Sequence, residues 1–199
     1  MPRRTCFLPS VHSIFDMTKG VFMSIIYREL LNDELKPELF ASFNRFQQVK
    51  KCWRKVDGNW VLKDIAFIDN WDGADHIRVC GQLRDVLNSG GRAFGAFVDG
   101  QLKGFSSVNG RLIGSQSQYA VLEEMHVSLD IRRMGLGKKL FGMAAEFARG
   151  LGAKKLYISA MSAQESMAFY HSLGCTEALE YDQYHVDKEP CDCQMEYAL

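Results

Sequence analysis

Glycines at positions 135 and 137 mark a junction where a strand-like run gives way to a helix-like one, and this junction restricts the fold more than any other stretch. On one side, Tyr119 to Leu129 reads as a strand. On the other, Leu136, Leu140, Ala144, Phe147 and Leu151 recur at helical spacing, while Lys138, Lys139, Glu146 and Arg149 fall largely elsewhere on the wheel. A helix therefore begins near Gly135. Its first backbone N–H groups have no partner within the helix, and their dipoles point at whatever sits in front of them. Residues without side chains let an anion approach those donors, and Arg132, Arg133, Lys138 and Lys139 add positive charge. The segment offers a phosphate or pyrophosphate cradle, although a tight turn that uses glycine for conformation alone reads the same way.

Two nucleotide motifs fail at this junction. The dinucleotide fingerprint would place a third Gly at Leu140, and a P-loop needs Ser or Thr after its Lys, where this chain has Lys138-Lys139. The pattern that remains, Arg132-x-x-Gly135-x-Gly137, resembles the [Arg/Gln]-x-x-Gly-x-[Gly/Ala] signature of the GNAT superfamily of N-acetyltransferases. Downstream, Lys155 to Ala160 reads as a short strand, and Ser162-Ala163-Gln164-Glu165 has the form of a capping box opening a second helix. That helix carries Phe169-Tyr170-His171-Ser172-Leu173-Gly174-Cys175, which is similar to the family's Phe-Tyr-x-x-x-Gly-[Phe/Cys] segment. The resemblance is specific from about Ala120 to Cys175.

The resemblance implies an acetyl-CoA co-substrate. Its pyrophosphate would lie on the turn formed by Arg132, Arg133, Met134, Gly135, Leu136, Gly137 and Lys138. Met125, His126 and Val127, on a strand that splays from its neighbour in this family, would hold the pantetheine and the acetyl carbonyl. Tyr170 matches the usual general acid, and Phe169 beside it is counted with the cofactor contacts. Many relatives carry Asn seven residues before the Tyr; here that position is Ala163, and Ser162 or Ser166 supplies the nearest hydroxyl. For a general base, a strand period of two puts Glu123 on the face of Met125 and Val127 and ranks it first, with Glu124 and His126 on the other face as further candidates.

The remaining elements give the order in which the fold is assembled. Ile25 to Glu29 reads as a first strand, with Met23 opening the fold and residues 1–22 as a dispensable extension; residues 23–199 then form one domain. After Pro37, the positions of Leu39, Phe43, Phe46 and Trp53 fit a helical stripe that Asp57-Gly58-Asn59 breaks. Ile68 to Gly73 reads as loop, and Trp53, Trp60 and Trp71 as packing residues. Ile77, Cys80, Leu83 and Leu87 form another helical stripe, ended by Ser89-Gly90-Gly91. Ala93 to Val98 and Gln101 to Val108, joined by Asp99-Gly100, read as a hairpin, and Gly110 to Gln118 as a loop. Short terminal strands are expected over Thr176 to Tyr181 and Gln194 to Tyr197. Antiparallel pairs followed by a strand–helix–strand crossover predict an α/β fold with a central mixed sheet and helices on both faces, the order of the GNAT fold.

Composition narrows the partners. Lys plus Arg equals Asp plus Glu at 24 each, so nothing points to a nucleic-acid or membrane surface. No run reaches the roughly 18 apolar residues a spanning helix needs, and Pro9, Ser10, His12 and Asp16 interrupt any signal sequence. Cys6, Cys52, Cys80, Cys175, Cys191 and Cys193 are scattered and read as reduced thiols of a soluble cytoplasmic protein. Cys191-x-Cys193 with His185 lacks zinc-site spacing, so no metal is expected. The expected partner is a small-molecule or peptide amine, and a homodimer is open. Two functions share these features: an acetyl-CoA-dependent N-acetyltransferase acting by direct attack in a ternary complex, or an inactive acyl-CoA-binding sensor of the same fold.

Overall fold

In the computed structural model, which describes residues 9–16 and 21–199, the described residues run through ten strands and four helices. In order these are β1 (Ser10–Asp16), β2 (Val21–Glu29), β3 (Phe46–Val56), β4 (Asn59–Asn70), α1 (Gly73–Asn88), β5 (Arg92–Val98), β6 (Gln101–Ile113), β7 (Tyr119–Val127), α2 (Leu136–Gly150), β8 (Lys155–Ala160), α3 (Gln164–Ser172), β9 (Thr176–Glu177), α4 (Gln183–Lys188) and β10 (Cys193–Ala198). Short 3-10 turns cover Asn32–Glu34, Pro37–Phe40 and Leu129–Ile131. One sheet takes the order β1-β2-β5-β6-β7-β8-β10-β9, and β3–β4 forms a separate two-stranded sheet. Every neighbouring pair is antiparallel except β7–β8.

Alternation in β5 explains the two layers. Phe94, Ala96 and Val98 pack with Leu136, Leu140 and Met143 of α2, while Ala93 and Phe97 pack with Val79, Cys80 and Leu83 of α1. A strand buried on both faces reads as a continuous apolar run. Leu30, Leu35 and Phe40 complete the α1 layer and are fully buried, each contributing on the order of 1.5–3 kcal/mol of burial. Asp99-Gly100 makes the hairpin turn with φ of 48° and 81°, as the Asp-Gly pair requires. Asp72 caps α1, its carboxylate accepting from the N–H groups of Ala74 and Asp75 while Asp75 reaches back to the N–H of Asp72.

Several sequence expectations are corrected. The helix expected from Leu39 to Trp53 is a 3-10 turn followed by strand β3, and Asp57-Gly58 is the tight turn of the β3–β4 hairpin, with φ of 48° and 80°. Of the stretch Ile68 to Gly73 read as loop, residues 68–70 lie in β4 and Gly73 opens α1. Strand β6 runs on to Ile113 into the expected loop, and the expected strand Thr176 to Tyr181 is two residues long, followed by a helix, α4, that was not foreseen. The Ser162 capping box does not form: α3 has Ala163 at its N-cap, without a side-chain hydrogen bond. Of the segment 1–22 read as an extension, residues 1–8 and 17–20 lie outside the described residues, and Ser10–Asp16 pairs with β2 from Ser10↔Tyr27 to Asp16↔Val21.

Candidate active site

Strands β7 and β8 pair in parallel only at Tyr119↔Lys155, Ala120↔Leu156 and Val121↔Tyr157, then part. The burial of β7 follows: residues 119–122 are buried and residues 123–127 are half-buried, because the later stretch has lost its neighbour on one side. Met125, His126 and Val127 therefore sit on a strand with one unpaired edge, beside a gap between β7 and β8. At the end of the gap lies the glycine turn.

The two glycines of the turn act for different reasons. Gly135 has φ of 87° with open space around the position a Cβ would take, so its conformation is what demands glycine. At Gly137 a Cβ would lie 3.1 Å from the Phe169 ring and 3.6 Å from Met125, so glycine there permits close approach of α2, α3 and β7. No side chain caps α2, in contrast to α1. Arg132 turns back to donate from Nε to the Val127 carbonyl at 3.1 Å, joining the turn to the end of β7, while Arg133, Lys138 and Lys139 are exposed. The result is a set of helix-terminal donors inside a basic rim.

On β7 a bulge overturns the expected alternation. Ser107 pairs with Glu124 and Val108 with Leu122, leaving Glu123 as an extra residue. Leu122 and Met125 both face α2, and Glu123 does not share the face of Met125 as a period of two would require. Glu123 instead accepts from Asn109 Nδ2 at 2.9 Å. Glu124 accepts at 2.7 Å from His126 Nε2, and His126 Nδ1 accepts from Arg45 Nε at 3.2 Å. Arg45 is buried, pairs with Asp69 at 2.6 Å, and lies with His126 against the Trp71 ring. An Nδ1 that accepts places the imidazole proton on Nε2, aimed at the Glu124 carboxylate.

Tyr170 projects from α3 into the cluster that holds Phe141, Met167 and Cys175. Burial pushes its phenol above the ordinary value of 10.0, and the charges of Asp192 and Glu124 act in the same direction.

A family model described as Acetyltransferase (GNAT) family matches residues 49–175. The chain belongs to this family. It is 31% identical over 116 residues to the uncharacterized N-acetyltransferase YjgM of Escherichia coli strain K12, covering 57% of this chain and 68% of that protein. Among solved structures it is similar to a nourseothricin acetyltransferase, with TM-score 0.63 and 19% identity over 87% of this chain and 98% of that one. A second is a putative streptothricin acetyltransferase of Bacillus anthracis strain Ames in complex with acetyl coenzyme A, with TM-score 0.65 and 15% identity over 88% and 98% of the two chains. At these identities the solved structures show the fold, which is that of an acyltransferase domain with a large mixed sheet.

Within this acetyltransferase, the structure also places residues that the sequence reading did not single out. Arg54 of β3 donates to the Ser162 hydroxyl at 2.5 Å, and the Trp53 N–H donates to the Ser162 carbonyl at 2.8 Å, so Ser162 is engaged by the hairpin. Ser166 is half-buried in the first turns of α3. Asp192, between α4 and β10, is raised well above the usual carboxylate range by burial and then by Glu189, with Arg54 opposing. Arg45, Arg54 and Asp192 carry no local motif; only the fold brings them to β7 and α3. Behind the turn, a groove of about 220 Å³ between α2 and α3 is lined by Lys138, Phe141, Arg149, Ser172 and Tyr197. Among the described residues no His, Cys, Asp and Glu group is arranged to hold a metal, and His185 Nδ1 is engaged by Asp182 at 2.7 Å.

Proposed function

We propose that this enzyme moves an acetyl group from acetyl-CoA to a primary amine of a small molecule or peptide, by direct attack in a ternary complex within the domain 23–199. The observation that carries this reading is the gap between β7 and β8, which ends at the uncapped start of α2 and has Met125, His126 and Val127 along its open edge. In this reading the amides around residues 135–138 grip the pyrophosphate of acetyl-CoA, Phe169 and Met125 flank the arm, and the unpaired edge of β7 takes the acetyl carbonyl. The complex of the B. anthracis relative with acetyl coenzyme A supports the choice of ligand. Scattered free thiols among the described cysteines support a cytoplasmic setting.

The chemistry then follows from acidity. A neutral amine attacks the thioester carbon, the oxyanion is met by β7 backbone donors, and collapse expels the thiolate of CoA. A thiol with pKa about 8.5 is a stronger acid than a phenol near 10, and burial raises Tyr170 further. Tyr170 therefore keeps its proton and donates a hydrogen bond to the developing thiolate rather than surrendering the proton outright. The proton that balances the reaction comes from the amine nitrogen, and Glu124, oriented by His126, is the base we assign to take it; Glu123, held by Asn109, is the second candidate. Holding the two reactants aligned contributes about 7–11 kcal/mol in well-oriented systems, more than any proton transfer.

The test is release of CoA thiol from acetyl-CoA when the purified protein is offered a broad panel of primary amines. Amine-dependent release is the expected result. Retention of CoA binding with no amine promoting release would replace transfer by the acyl-CoA-sensor reading.

A further inference from the structure

Between the β3–β4 hairpin, α3 and the β9–β10 edge lies a cavity of about 200 Å³ walled by Trp53, Trp60, Met167, His171 and Cys193, with Glu177 as the one acid among its lining residues. The Glu177 carboxylate is fixed in orientation: Trp60 Nε1 donates to one oxygen at 2.9 Å, and Lys55 Nζ and the Tyr181 hydroxyl meet the other. The Lys55 ammonium also stands 5.6 Å from the centre of the Trp60 ring and 5.5 Å from that of Tyr181. The chain thus sets one of its own ammonium groups against a carboxylate and two aromatic faces, the combination that recognises organic cations. Lys55 is paired to Trp60 across the hairpin and is not itself part of the cavity wall. Its side chain is 43% exposed and that of Glu177 39%, so solvent screens the pair and a competing cation can displace it.

We propose that this cavity binds an organic ammonium ion, whose charge replaces the Lys55 ammonium on Glu177 while its apolar body enters between Trp53 and Trp60. An anion is disfavoured by the carboxylate, and a neutral apolar molecule would gain nothing from it. The cavity adjoins the transfer site: Met167 lies one turn before Tyr170 on α3, and Trp53 is hydrogen-bonded through its backbone to Ser162. Resting on the transfer reading above, the acceptor is then a diamine, with one neutral nitrogen at the thioester and a second kept cationic on Glu177.

The experiment uses benzyltrimethylammonium, which has no N–H and cannot be acetylated, titrated into the full chain without CoA and followed by tryptophan fluorescence and calorimetry. Saturable binding is expected, weakened roughly tenfold in Glu177→Gln and tightened severalfold in Lys55→Ala, because the latter removes the internal competitor. A merely structural Lys55 would give no tightening, and that result, or equal binding by Glu177→Gln, or no saturable binding to either the wild type or Lys55→Ala, overturns the proposal. Binding in the expected order with no amine ever acetylated leaves the ammonium site standing and removes the transfer reading. Acetylation of amines without probe binding removes the ammonium site alone.

Discussion

Arg45 Nε donates to His126 Nδ1 across 81 positions of sequence, and this single contact decides which nitrogen of the imidazole carries the proton. With Nδ1 accepting, Nε2–H points at Glu124, 2.7 Å away. Nitrogen-resolved NMR of the resting enzyme should therefore show His126 as the Nε2–H tautomer. In Arg45→Gln that preference should disappear and kcat should fall about tenfold or more, a part of the roughly 10²–10⁴-fold that a positioned proton acceptor contributes. An Nδ1–H tautomer in the unaltered enzyme would remove the orienting role.

Tyr170→Phe keeps the ring in its cluster and removes only the hydroxyl. If the hydroxyl meets the leaving thiolate, kcat should drop about 10²-fold, in the usual range for a lost hydrogen-bond donor to developing negative charge, while the affinity for CoA stays unchanged. Because burial raises this phenol above its ordinary value of 10.0, it remains a donor up to that pH, and no loss of rate below pH 10 should trace to its ionisation. Rate profiles of wild type and Tyr170→Phe should run parallel there.

Glu177 supplies a pH prediction whose sign can be worked out. Hydrogen bonds from Lys55, then Tyr181 and Trp60, lower its carboxyl from the ordinary 4.5 to about 2. The folded protein holds this proton less tightly than the unfolded chain, so the stabilisation is complete above pH 4.5 and is lost as pH falls through about 2. Urea unfolding should show Glu177→Gln less stable than wild type at pH 7, by about 1 kcal/mol or less because the group is exposed, with the difference vanishing near pH 2.

At the turn, substitution separates conformation from charge. Gly135→Ala places a side chain at a φ of 87° where there is room for it, so the expected cost is strain of about 1–2 kcal/mol, read as a lower Tm. Gly135→Glu adds a negative charge beside the helix-terminal donors and should weaken CoA binding by more than tenfold relative to Gly135→Ala. Equal CoA affinity in the two variants would remove the pyrophosphate from this turn.

What could be read from sequence and what could not divides at two bulges. In β3 the ladder shifts between Val49 and Lys51, so Val49 and Cys52 are both buried at a spacing of three. That spacing is also a helix's, and Leu39, Phe43, Phe46 and Trp53, which are divided between the 3-10 turn, the loop after it and β3, fit a helical stripe in the same way. In β7 the extra residue Glu123 likewise puts Leu122 and Met125 on one face and defeats the assignment of the base by alternation. Where the signal is local and strong the reading succeeds: α1, the Asp99-Gly100 turn of the β5–β6 hairpin and the start of α2 sufficed for the fold class. The glycine turn was legible because its donors, glycines and cations are consecutive. Arg45, Arg54 and Asp192 were not, because their partners lie far along the chain and nothing local marks them.

The most direct test of the account is the distance from sulfur to the Tyr170 hydroxyl in a complex with CoA. The account predicts the diphosphate on the backbone amides of residues 135–138 and the sulfur within hydrogen-bonding reach of that hydroxyl. A diphosphate bound elsewhere, or a sulfur out of reach of Tyr170, would contradict it.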